Sequence, residues 1–279
     1  METPDPLLER LSPVLAAIPG VTAVALGGSR ATGAAHTGSD TDIGLYFSEP
    51  AGLDVERLLD AAKSLVDDPG AARVTEVGGW GPWIVGGGWL TIEGRKVDLL
   101  YRPIESVETI IRDCREGRVG MDYQPGHPHG FCSAIWMGEV ALCWPLSDSK
   151  GALARLKAMT APYPEALREA LIRRFQWEIL FAIENAHTAV PKGDQAYIAG
   201  CAFRSLACAA QVLFALNRRY LINEKEAIDA AARLPLTVGD LAGRASGMWR
   251  AIGLRAFDAA LGELGSIERD VAGLSEAAR

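Results

Sequence analysis

The sequence predicts an α+β protein in two parts, a small mixed β-sheet flanked by helices and then a helical bundle. Three observations lead to this prediction. Helix and strand patterns alternate in the first third of the chain, strand patterns disappear after about residue 150, and a stretch rich in Pro and Gly separates the two regions. The predicted domains are residues 1–150 and 151–279.

The elements of the first part follow one another at short intervals. An apolar helical repeat over residues 7–15 stops at Pro19-Gly20, and VTAVALGG then predicts a short buried strand. DIGLYF predicts a second strand, and residues 53–66 have the period of an amphipathic helix. ARVTEV and WLTIEGRKVDLLYR predict further strands, the latter as a hairpin that turns near Glu93-Gly94.

The second part shows helical periodicity only. The predicted helices cover residues 151–159, 164–189, 194–220 and 225–232, with one or two more towards the C-terminus. Residues 197–217 contain a single charge, Arg204, and resemble a membrane span in length. A central arginine is unfavourable in lipid, so a buried helix of a bundle is predicted, without a membrane partner.

Composition narrows the classes of function. Hydrophobic residues make up 49% and charged residues 23%, as in packed globular proteins. The formal net charge of −7, without any run of basic residues, argues against a nucleic-acid partner. Five cysteines without paired spacing predict reduced thiols. The first residues lack the pattern of a secretory signal, so a cytoplasmic protein is expected.

A candidate site stands at the ends of the segment GGSRATGAAHTGSDTD. Gly28-Ser29 follows the first predicted strand and is expected to open a short helix, whose N–H groups can bind phosphate. Asp40 and Asp42 begin the second strand at positions i and i+2, which directs both carboxylates to one face of the sheet. Carboxylates placed together in this way are ligands for Mg²⁺.

A third carboxylate, Asp98, is predicted on the same side of the sheet. In RKVDLLYR the residues Val97, Leu99 and Tyr101 are expected to face the core, which leaves Lys96 and Asp98 on the other face.

This pattern resembles the nucleotidyltransferase superfamily of the DNA polymerase β type, in which GS is followed after about ten residues by DxD and later by a third Asp. Here it reads Gly28-Ser29, Asp40-Thr41-Asp42 and Asp98, within residues 21–102. Arg30 and Gly33 also look like the GSRARG form of small bacterial members. The helical half is similar in order and size to that of aminoglycoside and lincosamide adenylyltransferases.

The resemblance implies transfer of a nucleoside monophosphate from ATP, or another NTP, to a hydroxyl group, with release of pyrophosphate. Asp40 and Asp42 would hold one or two Mg²⁺ ions, and Asp98 would bind the second metal, act as base, or do both. Gly28 and Ser29 would contact the phosphates. The implied acceptor is a small molecule such as an aminoglycoside or lincosamide. A protein or RNA acceptor, and a non-catalytic nucleotide-binding module, are the alternatives.

Several further residues have two interpretations each. Arg30 and Ser39 either contact phosphate or cap the loop. Arg204 either contacts the triphosphate or the acceptor, or forms an ion pair with Glu178 or Glu184. Lys225 could reach the γ-phosphate.

Two further segments, one rich in histidine and one rich in tryptophan, also have two interpretations each. His127 and His129 could bind a metal or shape a loop. The three tryptophans of GGWGPWIVGGGW could form a platform for a ring or pack at a sheet edge.

Overall fold

The structure is a computed structural model that describes residues 5–33, 36 and 38–278. The chain divides into two compact units. The sheet unit comprises Met1–Arg112, Asp122–Gly126 and Trp136–Pro162, and the helical unit comprises Asp113–Met121, His127–Ile135 and Tyr163–Arg279. The domain boundary at residue 150 stays a prediction.

The α+β class is confirmed. Within the described residues the strands are β1 (Val21–Leu26), β2 (Thr41–Phe47), β3 (Gly87–Ile92), β4 (Arg95–Pro103), β5 (Met121–Asp122), β6 (Phe131–Cys132) and β7 (Trp144–Ser147). Five of them form one sheet in the order β3–β4–β2–β1–β7. The sheet is mixed, because β2 and β4 run parallel whereas the other neighbouring strands are antiparallel.

The helices of the described residues are α1 (Pro6–Ala16), α2 (Gly28–Thr32), α3 (Val55–Leu65), α4 (Ile104–Arg115), α5 (Ala134–Leu142), α6 (Ala152–Met159), α7 (Glu165–Ala189), α8 (Gln195–Leu216), α9 (Ala227–Ala232), α10 (Leu241–Gly253) and α11 (Phe257–Ala277). Short 3-10 turns lie at Pro69–Ala71 and Val190–Lys192. The helices predicted between residues 151 and 232 are all present.

The core of the sheet unit lies on one face of the sheet. Alternate residues of β2 and β4 are buried there with α1 and α3: Ile43, Leu45, Phe47, Val97, Leu99 and Tyr101 from the strands, and Leu7, Leu11, Leu15 and Leu58 from the helices. Because side chains alternate along a strand, Asp42 and Asp98 belong to the opposite face. The hairpin between β3 and β4 turns at Glu93 and Gly94, both with positive φ, as predicted.

The structure differs from the predicted elements at several places, and α4, β5 and β6 are among the elements that were not predicted. ARVTEV is not a strand: only Val74 forms an isolated bridge, to Gly88, between a 3-10 turn and a glycine-rich loop. The predicted loop around residue 134 contains α5, and the strand β7 was not predicted. α5 was not predicted because it is almost entirely apolar and lacks the alternation of polar and apolar residues that indicates a helix. β7 was not predicted because it has only four residues, one of which is Pro145.

The helical unit is built around α7 and α8, which pack along each other, with α11 against both and α10 against α11. α8 is long and apolar enough to cross a membrane, with a mean hydropathy of 1.6 over its most apolar window. However, 61% of that window is buried inside the protein, as in a core helix.

Candidate active site

Two carboxylates stand side by side on the face of the sheet opposite the core. In the parallel pair of β2 and β4, Asp42 is the register partner of Asp98. Neighbouring strands are about 4.8 Å apart, and register partners point to the same face. Both residues are half-buried. The predicted proximity of Asp98 to Asp42 is therefore what the structure shows, although their catalytic roles stay predictions.

The Gly28-Ser29 turn lies directly against Asp42. A Cβ atom added to Gly28 would come within 1.8 Å of the Asp42 Oδ2 atom, and Gly28 has a φ of +59°. The Gly27 N–H group donates to the Asp42 carbonyl oxygen at 2.8 Å. Only glycine combines this backbone conformation with so close an approach of the carboxylate.

The helix α2 begins at Gly28 and is a single turn. Gly27 is its N-cap, and Gly33 ends it in the left-handed conformation with a φ of +73° and an N–H group that donates to the Ser29 carbonyl oxygen. The first N–H groups of any helix lack partners within the helix. Hence the turn presents donors beside Asp42, and their binding to phosphate stays a prediction.

Arg30 fixes the backbone that leads into β2. Its Nε atom donates to the Asp40 carbonyl oxygen at 3.1 Å, and its Nη2 atom donates to the Ser39 carbonyl oxygen at 2.7 Å. The Ser39 hydroxyl accepts from the His36 N–H group at 2.9 Å. The loop-capping interpretation of Arg30 and Ser39 thus has direct contacts, and their contact with phosphate stays a prediction. Asp40 is half-buried directly before β2, two residues from Asp42.

Arg102 lies further along the same face of the sheet, and the sequence analysis did not identify it as a site residue. It lies four residues after Asp98 on β4, so that both side chains are on the same face, and it is only 3% exposed. Its Nε and Nη2 atoms donate to both carboxylate oxygens of Glu139, at 2.7 and 2.8 Å. Burial lowers the pKa of Arg102, but Glu139, Tyr46 and Asp42 together hold that pKa above its ordinary value. A fixed positive charge therefore acts on Asp42. Its position in DLLYR, at even spacing from Asp98, was the available signal.

The edge strand β3 adds aromatic side chains to this face. Trp89 is the register partner of Asp98 across the antiparallel pair of β3 and β4. Trp80 stacks on Trp89 with ring centroids 4.5 Å apart and an interplanar angle of 22°. Lys96 is exposed on the same face, two residues before Asp98.

Arg204 and Lys225 belong to the helical unit. Arg204 forms an ion pair with Glu178 and donates to the carbonyl oxygen of His129. The predicted pairing with Glu178 is therefore present. Lys225 is exposed, and its N–H group donates to the Asn223 side chain at 2.9 Å. The contact of Arg204 and Lys225 with a nucleotide stays a prediction.

Both histidines of GHPHG contact acidic or basic groups of the helical unit. His127 Nδ1 lies 3.0 Å from Glu224 Oε2. His129 is 4% exposed, and burial together with the nearby Arg204 lowers its pKa to about 4, so its ring is neutral at pH 7. His129 and Glu224 line a cavity of about 240 Å³ with apolar walls that include Phe203.

The described residues, 5–33, 36 and 38–278, contain no group of three or more His, Cys, Asp or Glu side chains arranged to hold a metal ion. The predicted metal ligands Asp40, Asp42 and Asp98 stay a prediction.

Comparison with known families assigns the class of the sheet unit. Residues 8–118 match the family described as "Nucleotidyltransferase domain", and residues 141–225 match a "Domain of unknown function (DUF4037)". The first match contains Gly28, Ser29, Asp40, Asp42 and Asp98. Residues 8–118 therefore form a nucleotidyltransferase domain, which is the domain of a nucleotidyl-transferring enzyme.

Other comparisons are more distant. A nucleotidyltransferase-like protein from Exiguobacterium sibiricum 255-15, solved by crystallography, is similar with a TM-score of 0.41 and 10% sequence identity, over 90% of this chain and 69% of that chain. No curated protein sequence matches the chain significantly.

Proposed function

We propose that the protein transfers the nucleoside monophosphate of ATP to a hydroxyl group of a small molecule and releases pyrophosphate. One observation carries the proposal: Asp42 and Asp98 are register partners, and Asp42 touches the Gly28-Ser29 turn, inside the matched nucleotidyltransferase domain. A triphosphate needs phosphate donors and a divalent cation at neighbouring positions, and this arrangement supplies both kinds of ligand.

The donor set fits Mg²⁺. Two carboxylates on adjacent strands offer oxygen ligands about 5 Å apart, and Mg²⁺ commonly uses one or two protein carboxylates with substrate phosphates and water. Asp40, two residues before Asp42, is the further candidate ligand. When bound, such an ion neutralises phosphate charge and lowers the pKa of the attacking hydroxyl group.

The chain's own residues orient the reactants. The N–H groups of the Gly28-Ser29 turn hold the β- and γ-phosphates, so that the α-phosphate lies over Asp42. Asp98 lies beside the approaching hydroxyl group. The hydroxyl oxygen bonds to the α-phosphorus and its proton passes to a base at this position, while the bond from the α-phosphorus to the bridging oxygen breaks and pyrophosphate leaves with the electron pair.

The proposed acceptor class rests on the charge of the chain and on the resemblance of the helical half, in order and size, to antibiotic adenylyltransferases. A net charge of −7 favours a cationic small molecule over RNA. We therefore propose an aminoglycoside or lincosamide as acceptor, and the cytoplasm, where ATP is abundant, as the place of action.

A labelling experiment tests the proposal. The purified protein is incubated with α-³²P-ATP, Mg²⁺ and, in separate reactions, kanamycin A, lincomycin, tRNA or protein extract. We expect label on one of the antibiotics and none with Asp42→Asn. Label on tRNA or on proteins would instead assign the macromolecular acceptor, and absence of any transfer would contradict the proposed activity.

A further inference from the structure

An exposed aromatic pair lies beside Asp98 in the sheet unit. Trp89 and Asp98 are partners in an antiparallel ladder, so their side chains point to the same face with Cβ atoms about 5 Å apart. Trp89 is 65% exposed, although its neighbours on the core side of β3, Leu90 and Ile92, are buried. Trp89 therefore contributes little to the core, and its stack with Trp80 forms a flat aromatic surface of the kind that binds rings.

Trp80 supports the Trp89 ring by stacking on one of its two faces. The Trp80 ring also covers β3 at Gly87, where an added Cβ atom would lie 2.9 Å from Trp80 Cζ3. One side of the Trp89 ring is thus occupied by Trp80, and the large exposed fraction of Trp89 belongs to the rest of the ring.

A buried amide fixes the loop that carries Trp80. Gln124 is 2% exposed, and its Nε2 atom donates to the Trp80 carbonyl oxygen at 2.8 Å. Its Oε1 atom accepts from the N–H groups of Trp83 and Ile84, both at 3.3 Å. A glycine-rich loop fixed in this way loses little entropy when a ligand stacks on its aromatic residues.

The strand order indicates which substrate the pair contacts. The Gly28-Ser29 turn follows β1, Asp42 is on β2, Asp98 is on β4 and Trp89 is on β3, so the four groups follow one another across the sheet. In phosphoryl transfer the attacking and leaving oxygens lie roughly in line on opposite sides of phosphorus. With pyrophosphate at the β1 side, the attacking hydroxyl group approaches from the side of β3.

We propose that Trp89, supported by Trp80, is the acceptor subsite and stacks the ring that bears the attacking hydroxyl group. The ligand class is a hydroxylated ring of the size of one sugar, with its apolar side on the indole. An amino group on that ring gains further attraction from the π-face and from the neighbouring carboxylate. This inference rests on the proposed nucleotidyl transfer to a small molecule.

Steady-state kinetics with kanamycin A and lincomycin as acceptors test the subsite. We expect Trp89→Ala to raise the KM for the accepted antibiotic at least about fivefold, which corresponds to the lower end of the free energies measured for ring stacking on aromatic side chains. The KM for ATP and kcat should change less than about twofold, since the contact is equally present in ground and transition states. Trp89→Phe should recover most of the loss.

Trp144→Ala is the matched control. Trp144 is 51% exposed on β7, the opposite edge strand of the same sheet, and is paired with the core-facing Leu26. Its replacement should leave both KM values unchanged. Melting temperatures of all variants show that each is folded.

Three results overturn the subsite. A rise in the KM for ATP alone would assign the pair to the nucleobase. Equal kinetics of Trp89→Ala and the unchanged protein would show that Trp89 does not contact the acceptor. If the unchanged protein labels neither antibiotic, the proposed acceptor class is wrong and the subsite is wrong with it. If the unchanged protein is active and the Trp89 variants behave as in either of the first two results, only the subsite is wrong.

Discussion

Two polar clusters, one on the sheet and one among the helices, are built in opposite ways. On the sheet, Asp42 and Asp98 place like charges on adjacent strands. In the helical unit, Arg204 meets Glu178, and His127 meets Glu224, each with its complement within hydrogen-bonding distance. Complementary pairs are explained by folding alone, since a buried charge requires a partner. Two carboxylates on adjacent strands repel each other, although the buried Arg102 offsets part of this charge, and under the proposed function a divalent cation would bind both.

The largest expected effect is a loss of activity, without a matching loss of stability, when a residue of the carboxylate pair is replaced. Asp42→Asn should lower nucleotidyl transfer by at least about 10²-fold, as loss of a group that stabilises transition-state charge commonly does. The free energy of unfolding should change little, because loss of the repulsion from Asp98 offsets loss of the attraction from Arg102. Activity with labelled ATP and urea denaturation measure the two quantities, and Asp98→Asn should behave alike. Retained transfer with lowered stability would make the pair structural.

The reverse outcome is expected in the helical unit. Arg204→Gln should lower the free energy of unfolding by about 1–2 kcal/mol, because Glu178 loses its complement in a pair that is only partly buried. The double variant Arg204→Gln/Glu178→Gln removes both charges and should recover part of that stability. Its KM for ATP decides between the two interpretations of Arg204: an unchanged value supports pairing alone, and a rise of tenfold or more supports nucleotide contact.

Acid should weaken the helical unit through His129. Its folded pKa of about 4 lies below the usual 6.5, so the unfolded chain binds the proton first. The stability contributed by neutral His129 is complete above pH 6.5 and is lost as the pH falls towards 4. The expected loss between pH 7 and pH 5 is about 2 kcal/mol. Urea denaturation at both values measures it, and His129→Gln should reduce the difference; an equal loss in that variant would assign it to other groups.

The smallest effect tests the contact between the glycine turn and Asp42. Gly28→Ala and Gly33→Ala both introduce a side chain at positive φ, which costs about 1 kcal/mol each. Only Gly28→Ala also displaces the Asp42 carboxylate, whereas a Cβ atom at Gly33 meets nothing within 4 Å among the described residues. Transfer should therefore fall in the first variant and stay near normal in the second. Similar activity of both would show that the close approach to Asp42 is unimportant.

Short-range patterns were sufficient to predict much of the sheet. Alternation in RKVDLLYR correctly placed Val97, Leu99 and Tyr101 in the core and Asp98 on the other face, beside Asp42. The helices of the second half follow from their period in the same way.

Contacts between distant residues could not be predicted from periodicity. The hydrogen bonds of Gln124 to the loop at Trp80 and the ion pair of Arg102 with Glu139 join residues far apart in the sequence. The edge strand β7 likewise depends on pairing with β1 more than on its own four residues. Such features depend on tertiary packing, which overrides weak local preferences.

The parallel pairing of β2 and β4 also determines which insertions and deletions the enzyme can tolerate. The connection between Phe47 and Arg95 contains α3 and β3, yet Asp42 and Asp98 meet through strand register alone. Loops within that connection can gain or lose residues while the carboxylates keep their places. Deleting one residue of β4 between Arg95 and Asp98 would instead move the following side chains to the opposite face and exchange a carboxylate for an apolar group. Homologous chains should therefore vary in the length of this connection and conserve the spacing within β4.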